Sequence, residues 1–389
     1  MIVLDEPYVS QPLLEWLEAS GHPVLDNAVA RTAGQGRALN YVPDVEARRR
    51  LDAGERVCTN SENALGWILE NTHNENLTRA VALFKDKARM REILHDLDPD
   101  LFFRRCDAVS LASLDFEADF EDAPKPFVLK PSIGFGSMGV YVINDRAEWD
   151  AALADIDRNA KVWRGRYPES VVGIREFVLE GYLGGTEYAL DAFFDEAGKA
   201  RMLNVFRHDF ASSEDTSDRM YVTSANIVRE TAPLFEAWLN RVNERVGARN
   251  FPVHVEVRVD AGHVSPIEFN PLRFAGLGST DLSLFAYGFR TYEAFLENKM
   301  PNFDEAFADK DGKVYSMSLL NPPADADLSA PFDYDALCAR FSHVLEMRRF
   351  DVKRFGAYGF LFLEVDERNE RHAEELEYLK TTDLREFIG

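Results

Sequence analysis

At 389 residues and 46% hydrophobic content, the chain is long for a single core and predicts two or three domains that share a cleft. Its net charge of −23 excludes nucleic acid and anionic membranes as main partners, because both select clustered Lys and Arg, and no run approaches the ~18 apolar residues of a membrane span. Cys58, Cys106 and Cys338 lie far apart without zinc or CxxC spacing and read as reduced thiols; with no basic region in Met1-Ile2-Val3-Leu4-Asp5-Glu6, a signal peptide is not expected and a cytoplasmic location is.

In chain order, Ile2-Val3-Leu4 predicts a short buried strand. Ser10-Gln11-Pro12 then opens a helix that Gly21 ends, and Pro23-Val24-Leu25 is a second strand, so the chain begins as a small open α/β domain. Arg56-Val57-Cys58-Thr59 predicts a further strand, with Ser61 capping a helix through Trp67, Ile68 and Leu69. Residues 76–97 read as one helix, with Leu77, Val81, Phe84, Met90 and Leu94 mostly on one side and Lys85-Asp86-Lys87 in its middle. An acidic stretch, Asp115 to Asp122, separates this part from the next strand.

Phe127-Val128-Leu129-Lys130 predicts a strand ending in a lysine. It runs into Gly134-Phe135-Gly136-Ser137-Met138-Gly139, and Val140-Tyr141-Val142-Ile143 predicts another strand. The glycines match the spacing of a dinucleotide-binding turn, but that turn runs from strand into helix. A glycine loop between two strands, with a cation at its entrance, reads instead as a flap over nucleotide phosphates, whose oxygens backbone N–H groups reach where no Cβ intervenes. Strands are expected at 171–178, 187–194 and 202–206, then a polar loop at 211–219 that is suited to closing over a reactive intermediate.

Val253-His254-Val255-Glu256-Val257-Arg258-Val259 alternates with period two, valines on one side and His254, Glu256 and Arg258 on the other. After a turn at Asp260-Ala261-Gly262, the strand 264–270 places Glu268 and Asn270 on one side, opposite Ile267 and Phe269. Paired as a hairpin, the two strands gather Glu256, Glu268 and Asn270 on one polar face, an oxygen-only set suited to Mg²⁺ shared with phosphates. His254 reads as a structural hydrogen-bonding group on that face. No Ser-His-Asp or Cys-His arrangement stands out, so covalent nucleophilic catalysis by the protein is not expected.

From about Lys87 to Arg273, these pieces stand in the order of the ATP-grasp family, which the chain resembles. The resemblance implies an α/β (α+β) fold: two subdomains clasping ATP, at 85–178 with the flap and at 179–313 with the metal site, preceded by a small α/β domain at 1–84 and followed by a C-terminal α/β extension at 314–389. It implies that Lys87 and Lys130 hold ATP phosphates under a flap containing Ser132, Gly134, Gly136, Ser137 and Gly139. Glu176, Phe177 and Val178 resemble the hinge that receives adenine, and Glu187 the acid that takes the ribose, with Glu180 a second acid for that role. Glu256, Glu268 and Asn270 resemble ligands of Mg²⁺, for which Mn²⁺ is an admissible substitute. Arg273 and Arg258 would face the acceptor carboxylate and the transferring phosphoryl group, although the family's frequent Asn-Pro-Arg is here Asn270-Pro271-Leu272-Arg273. The implied activity is an ADP-forming ligase that activates a small-molecule carboxylate as an acylphosphate and joins it to an amine, in an expected homodimer. The alternatives are a small-molecule kinase on the same fold and a nucleotide-binding module without turnover.

Overall fold

A computed structural model describes residues 1–134, 139–166, 173–210 and 219–389, with the backbone alone at 160–166 and 173–174. Three sheets organise it. The first is parallel: β1 (Ile2–Val3), β2 (Pro23–Leu25), β3 (Asn40–Val42) and β4 (Cys58–Thr59), in the order β3-β2-β1-β4. The opening helix runs Gln11–Ser20, with the Ser10 side chain accepting from Leu13 N and left-handed Gly21 closing it, as its end signals predict. The next helix, Ala64–Glu70, departs from expectation. Asn63, not Ser61, holds the cap position, because Ser61 Oγ accepts from Asn63 N at 3.2 Å within a turn that directs Glu62 inward, where it is buried.

The helix expected over 76–97 is two helices, Glu75–Lys85 and Lys87–Leu94, followed by a 3-10 turn at His95–Leu97. Asp86 breaks it: its backbone is extended at φ −94° and ψ 105°, and its side chain accepts from Arg89 N at 3.1 Å as the N-cap of the second helix. Ser132, distant in sequence, completes the break by donating to Asp86 and accepting from Ala88 N at 3.1 Å. Lys87 therefore starts a buried first turn instead of riding a solvated helix. Asp86→Ala is expected to lower unfolding free energy by about 1 kcal/mol, read as a lower urea midpoint; an unchanged midpoint would remove the cap from this account.

The second sheet is antiparallel: β5 (Phe103–Asp107), β6 (Phe127–Ile133), β7 (Tyr141–Ile143) and β8 (Gly173–Gly181), ordered β5-β8-β6-β7. β6 and β7 pair as a hairpin, so the glycines run from strand to strand as read from the sequence; Gly136 and Ser137 lie outside the described residues. Lys130 sits in the middle of β6, not at its end, opposite Val178. Phe127, Leu129, Phe177 and Leu179 form the buried face of this sheet with Phe116, Phe120 and Trp149.

The third sheet has eight strands: β9 (Thr186–Phe194), β10 (Ala200–His208), β11 (Met220–Thr223), β12 (Phe251–Asp260), β13 (His263–Pro271), β14 (Lys313–Leu319), β15 (Val344–Arg349) and β16 (Gly359–Asp366). Their order is β13-β12-β9-β10-β11-β14-β16-β15, so the C-terminal strands lengthen the sheet that carries the hairpin instead of forming one of their own. Ala261 and Gly262 take φ of 47° and 85°, the left-handed pair of a two-residue hairpin turn, which sets Glu256 opposite Glu268 and His254 opposite Asn270. A bulge between Glu256 and Val257 skips Ile267. Phe84, at the end of its helix, stacks on Phe269 with ring centroids 4.6 Å apart, and this packing delivers Lys85 and Lys87 to the hairpin. Gly185 allows the entry to β9, since a Cβ there would stand 2.2 Å from Val259 O.

Candidate active site

The polar face of the second sheet and the polar face of the β12–β13 hairpin meet at a cluster of buried charges. Lys87 Nζ lies 2.9 Å from Glu268 Oε2 and donates to Gly134 O at 2.9 Å, so one ammonium touches the glycine loop and the carboxylate hairpin together. Asn270 Nδ2 donates to Glu268 Oε1 at 3.1 Å. Burial pushes the Glu268 carboxyl up, but Lys87, Lys85 and the Asn270 bond outweigh it and bring it down to about 2. Burial likewise pushes Lys87 down, yet Glu268 reverses this and raises its pKa above the usual range. Both groups are thus charged at neutral pH, where each neutralises the other in a site poor in water.

Lys130 makes a second cluster. Its ammonium pairs with Glu180 and donates to Ile267 O, 3.3 Å away on the bulge of the facing sheet. Arg91, one helical turn beyond Lys87, donates from Nε to Glu180 Oε2 at 2.8 Å. Burial raises the Glu180 carboxyl, and Arg91 and Lys130 together bring it down to about 2. For Lys130 itself burial prevails over Glu180 and lowers the pKa of the ammonium.

The expected hinge residues Glu176, Phe177 and Val178 lie within β8. Glu176, Val178 and Glu180 alternate onto the face that bears Lys130, while Phe177 packs in the apolar core. Glu176 is held by Arg105. β8 lies between β5 and β6, and Val178 has a ladder partner on each side, Arg105 and Lys130, so its main chain is committed to the sheet. The chain leaves the sheet after Gly181; in the segment that follows, Tyr182 N donates to Pro126 O at 3.3 Å and Leu183 O accepts from Arg258.

Arg258 also departs from expectation. It does not join Arg273 but binds Glu187 Oε2 at 2.9 Å and Leu183 O at 3.3 Å, with its guanidinium against the rings of Tyr182 and Phe210. The other Glu187 oxygen, Oε1, meets His208 Nδ1 at 2.9 Å. Arg273 turns toward the N-terminal domain, where Nε and Nη2 reach Glu62 Oε1 at 3.3 and 2.8 Å, and Nη1 donates to Phe274 O at 3.0 Å. Glu62 also pairs with Lys85. The isolated bridge between Thr59 and Arg273, with Thr59 N donating to Leu272 O at 2.7 Å, ties β4 to this loop. Glu62→Ala removes the carboxylate shared by buried Lys85 and half-buried Arg273, and a loss of about 3 kcal/mol of unfolding free energy is expected, measured by urea titration; a change below the scatter of the wild type would contradict it.

Glu256 and Glu268 stand as cross-strand neighbours, which fits a divalent cation shared with phosphates: two carboxylates and the Asn270 amide oxygen, all hard donors. Among the described residues no group of three or more His, Cys, Asp or Glu forms a metal cage, so such a cation would depend on a ligand's oxygens as well. His254 approaches Glu256, with Nε2 3.8 Å from Oε1. Its Nδ1 is fixed by the wholly buried Asp191 at 2.8 Å, which also accepts from Ala275 N at 2.8 Å and Thr280 Oγ1 at 2.6 Å. That arrangement anchors the loop after β13 and sets the ring's orientation.

Four contributors went unread in the sequence as site residues: Glu62, Lys85, Arg91 and Asp191. A signal existed for two. Arg91 lies four residues after Lys87 on one helix and so shares its face, and Glu62 follows the carboxyl end of a parallel strand, where ligand sites of open α/β sheets gather.

Residues 123–281 match the family model described as an ATP-grasp domain. No curated protein matches the sequence. Among solved structures, the chain is similar to an L-amino acid ligase from Bacillus licheniformis, at 18% identity and TM-score 0.67 over 97% of this chain and 96% of that one. It is similar to a biotin carboxylase from Campylobacter jejuni at 11% identity and TM-score 0.64, over 98% and 95%. An N5-carboxyaminoimidazole ribonucleotide synthetase from Thermus thermophilus gives 16% identity and TM-score 0.61, over 98% and 99%. At these identities the likeness establishes the fold over nearly the whole chain. Among the described residues, no helix is long and apolar enough to cross a membrane.

Proposed function

We propose that residues 123–281, which match the ATP-grasp family model, act as an ATP-grasp domain, and that the protein is an ADP-forming ligase that activates a small-molecule carboxylate with ATP and joins it to an amine. The observation that carries the reading is the reach of Lys87, whose one ammonium contacts the glycine-loop carbonyl of Gly134 and the hairpin carboxylate Glu268. A nucleotide phosphate placed there meets the flap, a cation and the candidate metal ligands together.

In this reading Lys87 and Lys130 bind phosphate oxygens, with Ser132, Gly134 and Gly139 framing the described part of the flap; the roles expected of Gly136 and Ser137 fall outside the described residues. Adenine lies against 182–184 rather than Glu176, Phe177 and Val178, because the main chain of β8 is already paired. Glu187, oriented by Arg258 and His208, takes the ribose. Glu256, Glu268 and Asn270 would hold Mg²⁺, which would supply charge neutralisation for the phosphates; Mn²⁺ would suit the same donor set. Arg273, fixed by Glu62, orients the acceptor carboxylate. One oxygen of that carboxylate attacks the γ-phosphorus as ADP leaves. The amine nitrogen then attacks the acyl carbon, phosphate departs, and the nitrogen loses a proton. Positioning and preorganised charge are the protein's main contributions. Support for small-molecule substrates comes from the activities for which the structural neighbours are named, and a homodimer in the cytoplasm remains part of the proposal.

The test is incubation with ATP, Mg²⁺ and pools of amino acids and small carboxylates, followed by mass analysis. ADP, phosphate and a condensed product are expected. A stable phosphorylated product would favour the kinase, and ADP absent under every pool would overturn the ligase.

A further inference from the structure

Glu180 is a buried carboxylate shared by two cations of unlike kind. Lys130 brings a point charge on a flexible stem, whereas Arg91 brings a planar fork with parallel donors. Only one prong of that fork is used. Nε bonds Glu180 Oε2, while Nη2 is buried and has no hydrogen-bond partner among the described residues. Arg91 borders a cavity of about 10 Å³ lined by apolar Leu94, Leu97, Phe103 and Trp238 and by the polar His95 and Asp98, which is room for about one water and too little for a ligand. An orphaned guanidinium donor in such surroundings is costly and calls for an explanation.

The explanation rests on the proposed nucleotide site. Lys130 also holds Glu180, through Oε1. As the Lys130 ammonium turns toward a phosphate, its hold on Glu180 weakens, and a buried carboxylate that loses a partner loses its orientation. We infer that Arg91 is a positioning residue of the nucleotide site, its Nη2 taking up the Glu180 oxygen that Lys130 releases, so that a monodentate pair becomes a bidentate one when ATP binds. Glu180 stays ionised through the exchange, because one full cation remains bonded to it. It also stays fixed at the end of β8, next to the segment 182–184 that leaves the sheet. The unpaired Nη2 donor is thus a partner held ready for the nucleotide-loaded protein.

Arg91→Lys keeps the charge and removes the fork. The expected result is a thermal midpoint near that of the wild type without nucleotide, and ATP·Mg²⁺ affinity about tenfold weaker by calorimetry, or about 1.4 kcal/mol. In a Glu180→Gln background the same substitution is expected to change affinity little, since the carboxylate served by the fork is gone; a purely structural role for Arg91 would persist there. A second measurement needs no variant: the ¹⁵N signals of the Arg91 guanidinium in the wild type are expected to shift when ATP·Mg²⁺ is added. Equal affinity of Arg91→Lys and the wild type, an undiminished loss in the Glu180→Gln background, or unmoved guanidinium signals despite nucleotide binding would each overturn this inference alone. Absence of ATP binding by the wild type would overturn the ATP reading, and this inference with it.

Discussion

Glu268→Ala is expected to lower ATP turnover about a thousandfold, the upper range for losing one preorganised electrostatic contact at a reacting centre. Two losses act together. The hairpin gives up one of its two candidate metal carboxylates, and Lys87 loses the carboxylate 2.9 Å from its ammonium, which frees it to move from the Gly134 carbonyl. Glu268→Gln separates these effects. It retains an oxygen for the cation and for Asn270 but not the charge, and a loss of about 10–100-fold is expected, as for other perturbed metal sites. ADP formation under saturating Mg²⁺, with the thermal midpoint recorded for each variant, is the measurement. Turnover of Glu268→Ala equal to that of the wild type would remove the hairpin from the chemistry.

Acid is expected to destabilise the protein through the same buried carboxylates. The Glu180 and Glu268 carboxyls stand at about 2 in the folded protein against an ordinary 4.5, and the Glu62 carboxyl is also lowered, by Lys85 and Arg273 against burial. A carboxyl whose folded pKa lies below its unfolded value binds its proton more readily after unfolding. Its contribution is therefore complete above the unfolded value and is lost as pH falls toward the folded one. The window runs from about pH 5 down to pH 2, and each of the two glutamates at about 2 accounts for ~3 kcal/mol across it. Unfolding free energy by urea titration at stepped pH is expected to fall steeply there. The slope is expected to be shallower in Glu180→Gln and in Glu268→Gln. A wild-type stability flat from pH 5 to pH 3 would contradict the ionised, paired state of these groups.

The parts of the site that were legible in the sequence are those set by local pattern. Alternation through Val253–Val259 and a turn at Asp260–Gly262 were enough to pair β12 with β13 and bring Glu256 opposite Glu268, because a strand's two faces follow from period two alone. The glycine run between β-branched segments was likewise enough to reject a strand-to-helix turn. What stayed hidden depends on distant partners. The burial of Lys87 follows from a helix break at Asp86 that Ser132 stabilises from another strand. The pairing of the 176–178 main chain follows from β8 being an inner strand, which no reading of 176–178 in isolation can tell from an edge. Arg258 shares a strand face with Glu256, but its partner is Glu187 on β9, chosen by the pairing of β9 with β12. Glu62 becomes part of the site only because β4 bridges to the loop at Arg273. The C-terminal strands read as a separate unit because continuity of a sheet is a long-range property that hydrophobic runs do not encode.

The measurement that bears most directly on the proposed chemistry is the fate of a carboxylate oxygen. With ATP, Mg²⁺, an amine pool and carboxylates carrying ¹⁸O in both positions, attack on the γ-phosphorus transfers one labelled oxygen to the phosphate that is later released. Phosphate heavier by one ¹⁸O, formed together with ADP and condensed product, is the expected result. ADP accompanied by unlabelled phosphate would contradict the account, since it would mean that water, not a carboxylate, receives the phosphoryl group.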